Sequence, residues 1–167
     1  MKIPISLLLV ISLCLALFGC QQDVEPAKKP VTFYYCRTEF DHGSEDSVIM
    51  GETRESAGYE DDLVGLLNLY LQGPLSEELR STFPAGTKLK EYWAEGNTAM
   101  LTVTDQLSLA KGIDLTISCA CLAKTVLEIT GLAAVQIQAQ NVNLGNNAYI
   151  LMDRSTILLL DGTEIHP

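Results

Sequence analysis

The chain has two histidines, His42 and His166. General-base, zinc and serine-hydrolase chemistry would all draw on that residue type. His42 stands in Asp41-His42-Gly43-Ser44 with Asp46 close behind, a run containing the letters of a nucleophile, a base and an orienting acid. Adjacent residues do not generally orient one another in those roles, because each side chain must approach the next from a different direction. His166 is next to the last residue, so a site using both histidines would need distant parts of the chain to converge. The sequence has no glycine-rich phosphate loop, nucleophile elbow or paired Cys-x-x-Cys. The expectation is a protein that is not an enzyme, with no catalytic residues, metal ligands or cofactor.

Cys20 carries the one chemical assignment. Lys2 precedes an apolar run from Ile5 to Phe18, too short and too early for a spanning helix and suited to a signal peptide. The run ends Leu17-Phe18-Gly19-Cys20, which resembles the bacterial lipobox, where cleavage before cysteine leaves a thiol that carries lipid. Phe18 departs from the small or β-branched residue usual at that position. The other readings are a secretory signal cut elsewhere and an uncleaved anchor. A lipid at Cys20 would place the chain on the extracytoplasmic face of the cell membrane without spanning it. Cys36, Cys119 and Cys121 then remain, an odd number. In a helix Cys119 and Cys121 lie about 200° apart and cannot pair with each other. Either Cys119 is a core residue, or Cys36 on a strand bridges to one of the two.

Charge excludes a further class. The net charge is −10, and loss of residues 1–19 removes Lys2 and no acid. Such a surface repels nucleic acid, and the basic clusters Lys28-Lys29 and Lys88-x-Lys90 are too small to offset it. The acidity suits solubility in the envelope. Glu60-Asp61-Asp62 and Glu77-Glu78 do not match the alternating carboxylates of a calcium loop, and both suit the first turn of a helix.

These residues need elements to carry them. Residues 20–30, beginning at the lipidated cysteine, lack an apolar pattern and read as a tether, while 31–167 suit a single domain. Val31 to Cys36 is β-branched and aromatic and predicts a strand, with a second short strand at Ser47 to Met50. Leu63, Leu66, Leu67, Tyr70 and Leu71 recur at helical spacing and put one apolar stripe on a helix ended by Gly73-Pro74. Lys88 to Thr104 alternates about Glu95-Gly96-Asn97, a hairpin with Ala99, Leu101 and Val103 facing the helix. Leu115, Cys119, Leu122, Val126 and Ile129 predict a second amphipathic helix closed by Gly131, and Val135, Ile137 and Ala139 a half-buried strand. Tyr149 to Met152 and Ile157 to Leu160 predict a final hairpin. Of the strand aromatics Tyr34, Tyr35, Tyr92 and Trp93, one of each adjacent pair must face away from the helices. An aromatic facing away can pack across strands or bind a glycan or a partner sheet. Free sheet edges are the better candidate for association, since unpaired strand amides template pairing with another chain.

The succession Leu66-Leu67 to Gly73-Pro74, Phe83-Pro84-Ala85-Gly86-Thr87-Lys88-Leu89, Gly96 to Val103, then a helix into Gly131-Leu132-Ala133-Ala134-Val135-Gln136-Ile137 resembles the sporulation and spore germination domain called GerMN. The match covers residues 60–140. Thr104 to Ser108 is a reduced form of the acidic and serine run usual after the second hairpin strand. The resemblance implies an α/β fold of the α+β two-layer sandwich type, with two helices on one face of a small mixed β-sheet, similar to the ring-building modules of envelope assemblies. It also implies a non-catalytic envelope lipoprotein that binds other envelope proteins or itself through sheet edges, with a link to sporulation or spore germination. The alternative is an extracytoplasmic lipoprotein that captures cell-wall fragments or a small solute on its aromatic sheet face. A deep aromatic-lined pocket would favour capture, and a flat sheet with free edges would favour assembly.

Overall fold

Phe33 and Tyr35 alternate on one strand and are both buried, and the elements that cover them define the first half of the molecule. The computed structural model describes residues 29–39, 48–56, 58–59 and 61–161, with the backbone alone for 158–161. Cys20, the leader, most of the tether, Asp41 to Asp46 and His166 lie outside the described residues. Strand β1 (Pro30–Arg37) pairs antiparallel with β2 (Ile49–Glu55) and with the two-residue β3 (Leu79–Arg80). Helix α1 (Leu63–Tyr70) begins at Asp62, whose carboxylate accepts the Gly65 N–H at 2.9 Å, an N-cap that satisfies an otherwise open donor. Its apolar stripe is buried through Leu66, Leu67 and Tyr70.

The predicted hairpin forms as β4 (Leu89–Glu95) and β5 (Thr98–Val103). Gly96 sits at its turn with φ of 58°, a left-handed conformation that costs a residue with a Cβ. The Pro-x-Gly-Thr run opens the hairpin by hydrogen bonding: the Thr87 hydroxyl and N–H both donate to Pro84 O, at 2.7 and 3.1 Å. Helix α2 (Ile113–Thr130) follows a 3-10 turn at Asp105–Leu109, ends at Gly131 in the left-handed conformation and leads into β6 (Ala134–Ala139), parallel to β5. Strand β7 (Ile150–Asp153) closes a four-stranded mixed sheet in the order β4-β5-β6-β7. Ala99, Leu101 and Val103 face inward and are buried, as their alternation predicts.

The protein is α+β, and its four-stranded sheet is small and mixed, with α1 against β4 and α2 against β6 and β7. Both helices feed one continuous core that holds Leu66, Leu67 and Leu122, with Leu63 packed against it. Two features depart from the pattern read in the sequence. The strands form two sheets rather than one, and β1 of the first packs along α2. Hence α2 is not amphipathic in practice: every residue from Ile117 to Ala123 is buried, and seven successive residues at 100° intervals point in all directions. The tail also differs, because α3 (Arg154–Asp161) stands where a hairpin strand is predicted. Asp153 decides this. Its Oδ1 accepts the Ser155 hydroxyl at 2.7 Å, the Thr156 N–H at 2.8 Å and the Thr156 hydroxyl at 2.9 Å, a helix N-cap. Those bonds, the one from Ser155 foremost, hold its pKa at about 2.

Candidate interaction surface

The register of the four-stranded sheet sorts its residues into two faces. Directly paired residues share a face, so the inward rows are Ala94-Ala99-Val135-Met152 and Tyr92-Leu101-Ile137-Ile150. The outward rows are Glu95-Thr98-Ala134-Asp153, Trp93-Met100-Gln136-Leu151 and Glu91-Thr102-Gln138. Outward Trp93 is 40 % exposed and Leu151 55 %, and Met100 between them is half-buried. The Gln138 amide donates to Thr102 Oγ1 at 3.0 Å and so fixes the third row. Among the described residues no helix packs on this outer face: α1 and α2 lie on the opposite side, with the buried rows.

Strand aromatics divide as pleating requires. Tyr35 is buried, stacks on Tyr70 with ring centres 4.8 Å apart and donates its hydroxyl to Tyr70 O at 2.8 Å. Burial raises the pKa of both phenols, which therefore stay neutral. Tyr34 lies under the Lys124 ammonium, 4.6 Å from its ring centre. Tyr92 is half-buried on an inward row, and Trp93 alone of the four is left facing out. Packing accounts for three of these aromatics and exposure for one.

The edges of the sheet are β4 and β7, each paired on one side only. At the start of β4 the edge is stopped by a side chain of α1. Asn68 donates its amide to Leu89 O at 3.1 Å and accepts the Leu89 N–H at 2.9 Å, in place of a neighbouring strand. From Lys90 onward that device ends, and Lys90, Glu91, Trp93, Ala94 and Glu95 are exposed.

A second polar arrangement joins the first sheet to the loop after α1. Glu52 and Arg54 pair on β2 with side chains only 13 % and 10 % exposed. Arg54 donates to Gly73 O at 2.8 Å, and Glu52 accepts the Leu75 and Ser76 N–H groups at 3.0 and 2.8 Å. The guanidinium also lies over Phe33 and Tyr35, 5.4 and 5.6 Å from their ring centres. Burial tends to raise the pKa of Glu52, but the hydrogen bonds from Ser76, Arg54 and Leu75 outweigh it and the net shift is downward. The pair fastens the Gly73-Pro74 loop to β2. Sequence reading passed over it, although Glu52-Thr53-Arg54 puts opposite charges on one face of a strand.

Cys36, Cys119 and Cys121 are buried free thiols. Burial pushes the pKa of Cys119 up to about 12 and raises those of the other two. Among the described residues no three His, Cys, Asp or Glu side chains converge as metal ligands, and no helix is long and apolar enough to cross a membrane. Four clefts, of about 450, 340, 540 and 620 Å³, open broadly to solvent, and none is lined by Trp93, Tyr92 or Tyr149.

No family profile matches the sequence, and no curated protein sequence does. Solved structures do match. The first GerMN domain of the sporulation protein GerM from Bacillus subtilis superposes with a TM-score of 0.57 at 15 % identity, over 75 % of this chain and 95 % of that one. The chain has the fold of a GerMN domain. The tandem GerMN domains of the same protein also match at a TM-score of 0.57 and 15 % identity, over 77 % of this chain and 46 % of theirs, so the chain spans less than half of that structure. A candidate lipoprotein from Clostridium perfringens matches at a TM-score of 0.43 and 17 % identity, over 80 % of this chain and 93 % of that one, which is too distant to carry an argument. Within the GerMN fold, the Gly73-Pro74 loop is where Glu52 and Arg54 attach, and the Pro84 to Thr87 turn is where the exposed strand β4 begins.

Proposed function

We propose that this protein is a non-catalytic envelope lipoprotein, anchored through lipid on Cys20 and held on the extracytoplasmic face of the membrane. Its GerMN-fold domain is an assembly module that joins other envelope proteins, and a role in sporulation or spore germination follows the GerM likeness. One observation carries this reading: the four-stranded sheet presents a helix-free outer face with Trp93 and Leu151 exposed, beside an edge strand that Asn68 caps only at its first residue. A strand edge offers unpaired amides to another chain, and the exposed apolar side chains Trp93 and Leu151 add desolvation energy to the contact.

Two measurements in the native host test it. Mass measurement of the membrane-extracted chain should find acyl groups on a new N-terminus at Cys20, and a Cys20→Ala chain should lack that mass. A wild-type chain without acyl mass at Cys20 would refute the anchor. A photo-crosslinking residue at Ala94, exposed on β4, should yield discrete larger species. A chain that stays monomeric with no crosslinked partner would refute assembly.

A further inference from the structure

The outer face of the sheet has a charge pattern that identifies what would sit on it. Trp93 is bracketed on its own strand by Glu91 and Glu95, both exposed and both on the outer face. The far corner of the Glu95 row is Asp153, whose depressed pKa keeps it ionised. No lysine or arginine stands on the three outward rows. Arg154, next along the chain, turns its guanidinium toward Leu127 O on α2, at 3.4 Å. The row Trp93-Met100-Gln136-Leu151, apolar but for Gln136, crosses four strands, roughly 14 Å at the usual strand spacing, and apart from Lys90, exposed at the irregularity between Leu89 and Glu91, the charges beside it are negative.

We infer that this face binds a basic protein segment, one that lays an apolar side chain on the row and sets Lys or Arg against Glu91, Glu95 and the indole of Trp93. This deepens the assembly reading above and rests on it. A cation close to both a carboxylate and an indole face gains from each, and tryptophan is the strongest aromatic partner for a cation. A second copy of this chain is a poor occupant, because its own outer face is acidic and its net charge is −10. An anionic lipid surface is repelled for the same reason.

Trp93 is the sole tryptophan of the chain, so its emission reports on this face alone. The full chain, purified in detergent, is titrated with a synthetic peptide of alternating arginine and valine and with its glutamate-valine counterpart. The arginine peptide should shift Trp93 emission to shorter wavelength and weaken steeply with salt, and the glutamate peptide should do nothing. A Glu91→Gln/Glu95→Gln chain, altered only at exposed side chains, should keep its melting temperature and bind roughly fivefold more weakly. An equal response to both peptides, or unchanged affinity in the double variant, would overturn the inference. In cells, a photo-crosslinker at Leu151 separates this inference from the reading it rests on. Capture of a chain through a Lys- or Arg-rich segment supports it. Crosslinks between copies of this chain overturn the basic partner and leave assembly standing. If neither Leu151 nor Ala94 yields a crosslinked species, both fall.

Discussion

Glu52 shows how much a single carboxylate can hold in this molecule. It is nearly buried, yet its charge is matched by Arg54 and by two backbone N–H groups of the loop after α1. Removing one partner of such a pair leaves the other unpaired, so Glu52→Ala should destabilise the fold by roughly 2–4 kcal/mol in denaturant unfolding. Replacing both with apolar residues of like size should cost less than the two single changes together. The folded pKa of Glu52 lies below its ordinary value of 4.5. Its contribution is therefore complete above that value and is lost as pH falls through the lower folded pKa. The stability difference between wild type and Glu52→Gln, measured from pH 7 downward, should stay constant to about pH 5 and then shrink. A difference that does not vary with pH would show that the carboxylate charge is not what holds the loop. The same side chains seen only as Glu-Thr-Arg give alternating polarity and no hint of the Ser76 amide, which reaches Glu52 from 24 residues away.

Strand β4 illustrates how one element's exposure depends on another. Its first residue is satisfied by Asn68 of α1, and the rest of its edge is not. Asn68→Ala should destabilise the protein by roughly 1–3 kcal/mol, because the Leu89 N–H and C=O lose both bonds at once. Hydrogen exchange should localise the effect, with the Leu89 amide losing protection while the amides of α2 keep theirs. Equal loss of protection in both places would mean that Asn68 acts on the whole core. Helix α1 and both hairpin strands were readable from period and turn chemistry alone, since Asp62, Gly96 and the Pro84 to Thr87 turn act on residues near them in sequence. Helix α3 was not, because Ile157 to Leu160 suits strand or helix by period, and the choice lies in how Asp153 meets Ser155 and Thr156.

For the molecule as a whole, the placement of α2 between β1 on one side and β6 and β7 on another is the organising fact. It buries both Cys119 and Cys121, which a one-sided helix could not do at 200° apart. With thiols so enclosed and their pKa values raised, a chain carrying Cys20→Ala and lacking the leader should give almost no reaction with a thiol reagent at neutral pH. All three remaining thiols should react on unfolding in denaturant. Rapid labelling in the native state would show that the core is looser than its packing implies. Mass measurement without reductant should find the three thiols free, and a mass two protons lower would restore the Cys36 bridge.

Periodicity, caps and turns determined most of the elements and the inward set of side chains, because those signals act between residues a few positions apart. The ordered succession from the leucine helix to the Val135-x-Ile137 strand was enough to indicate the GerMN fold that the solved structures share. Tertiary contacts decided the remainder: that the strands split into two sheets, that α2 is enclosed rather than one-sided, and that Tyr34, Tyr35 and Tyr92 are covered while Trp93 is not. Each of these depends on what a distant segment places opposite a given face. A strand's alternation marks two faces and cannot say which of them a helix will occupy.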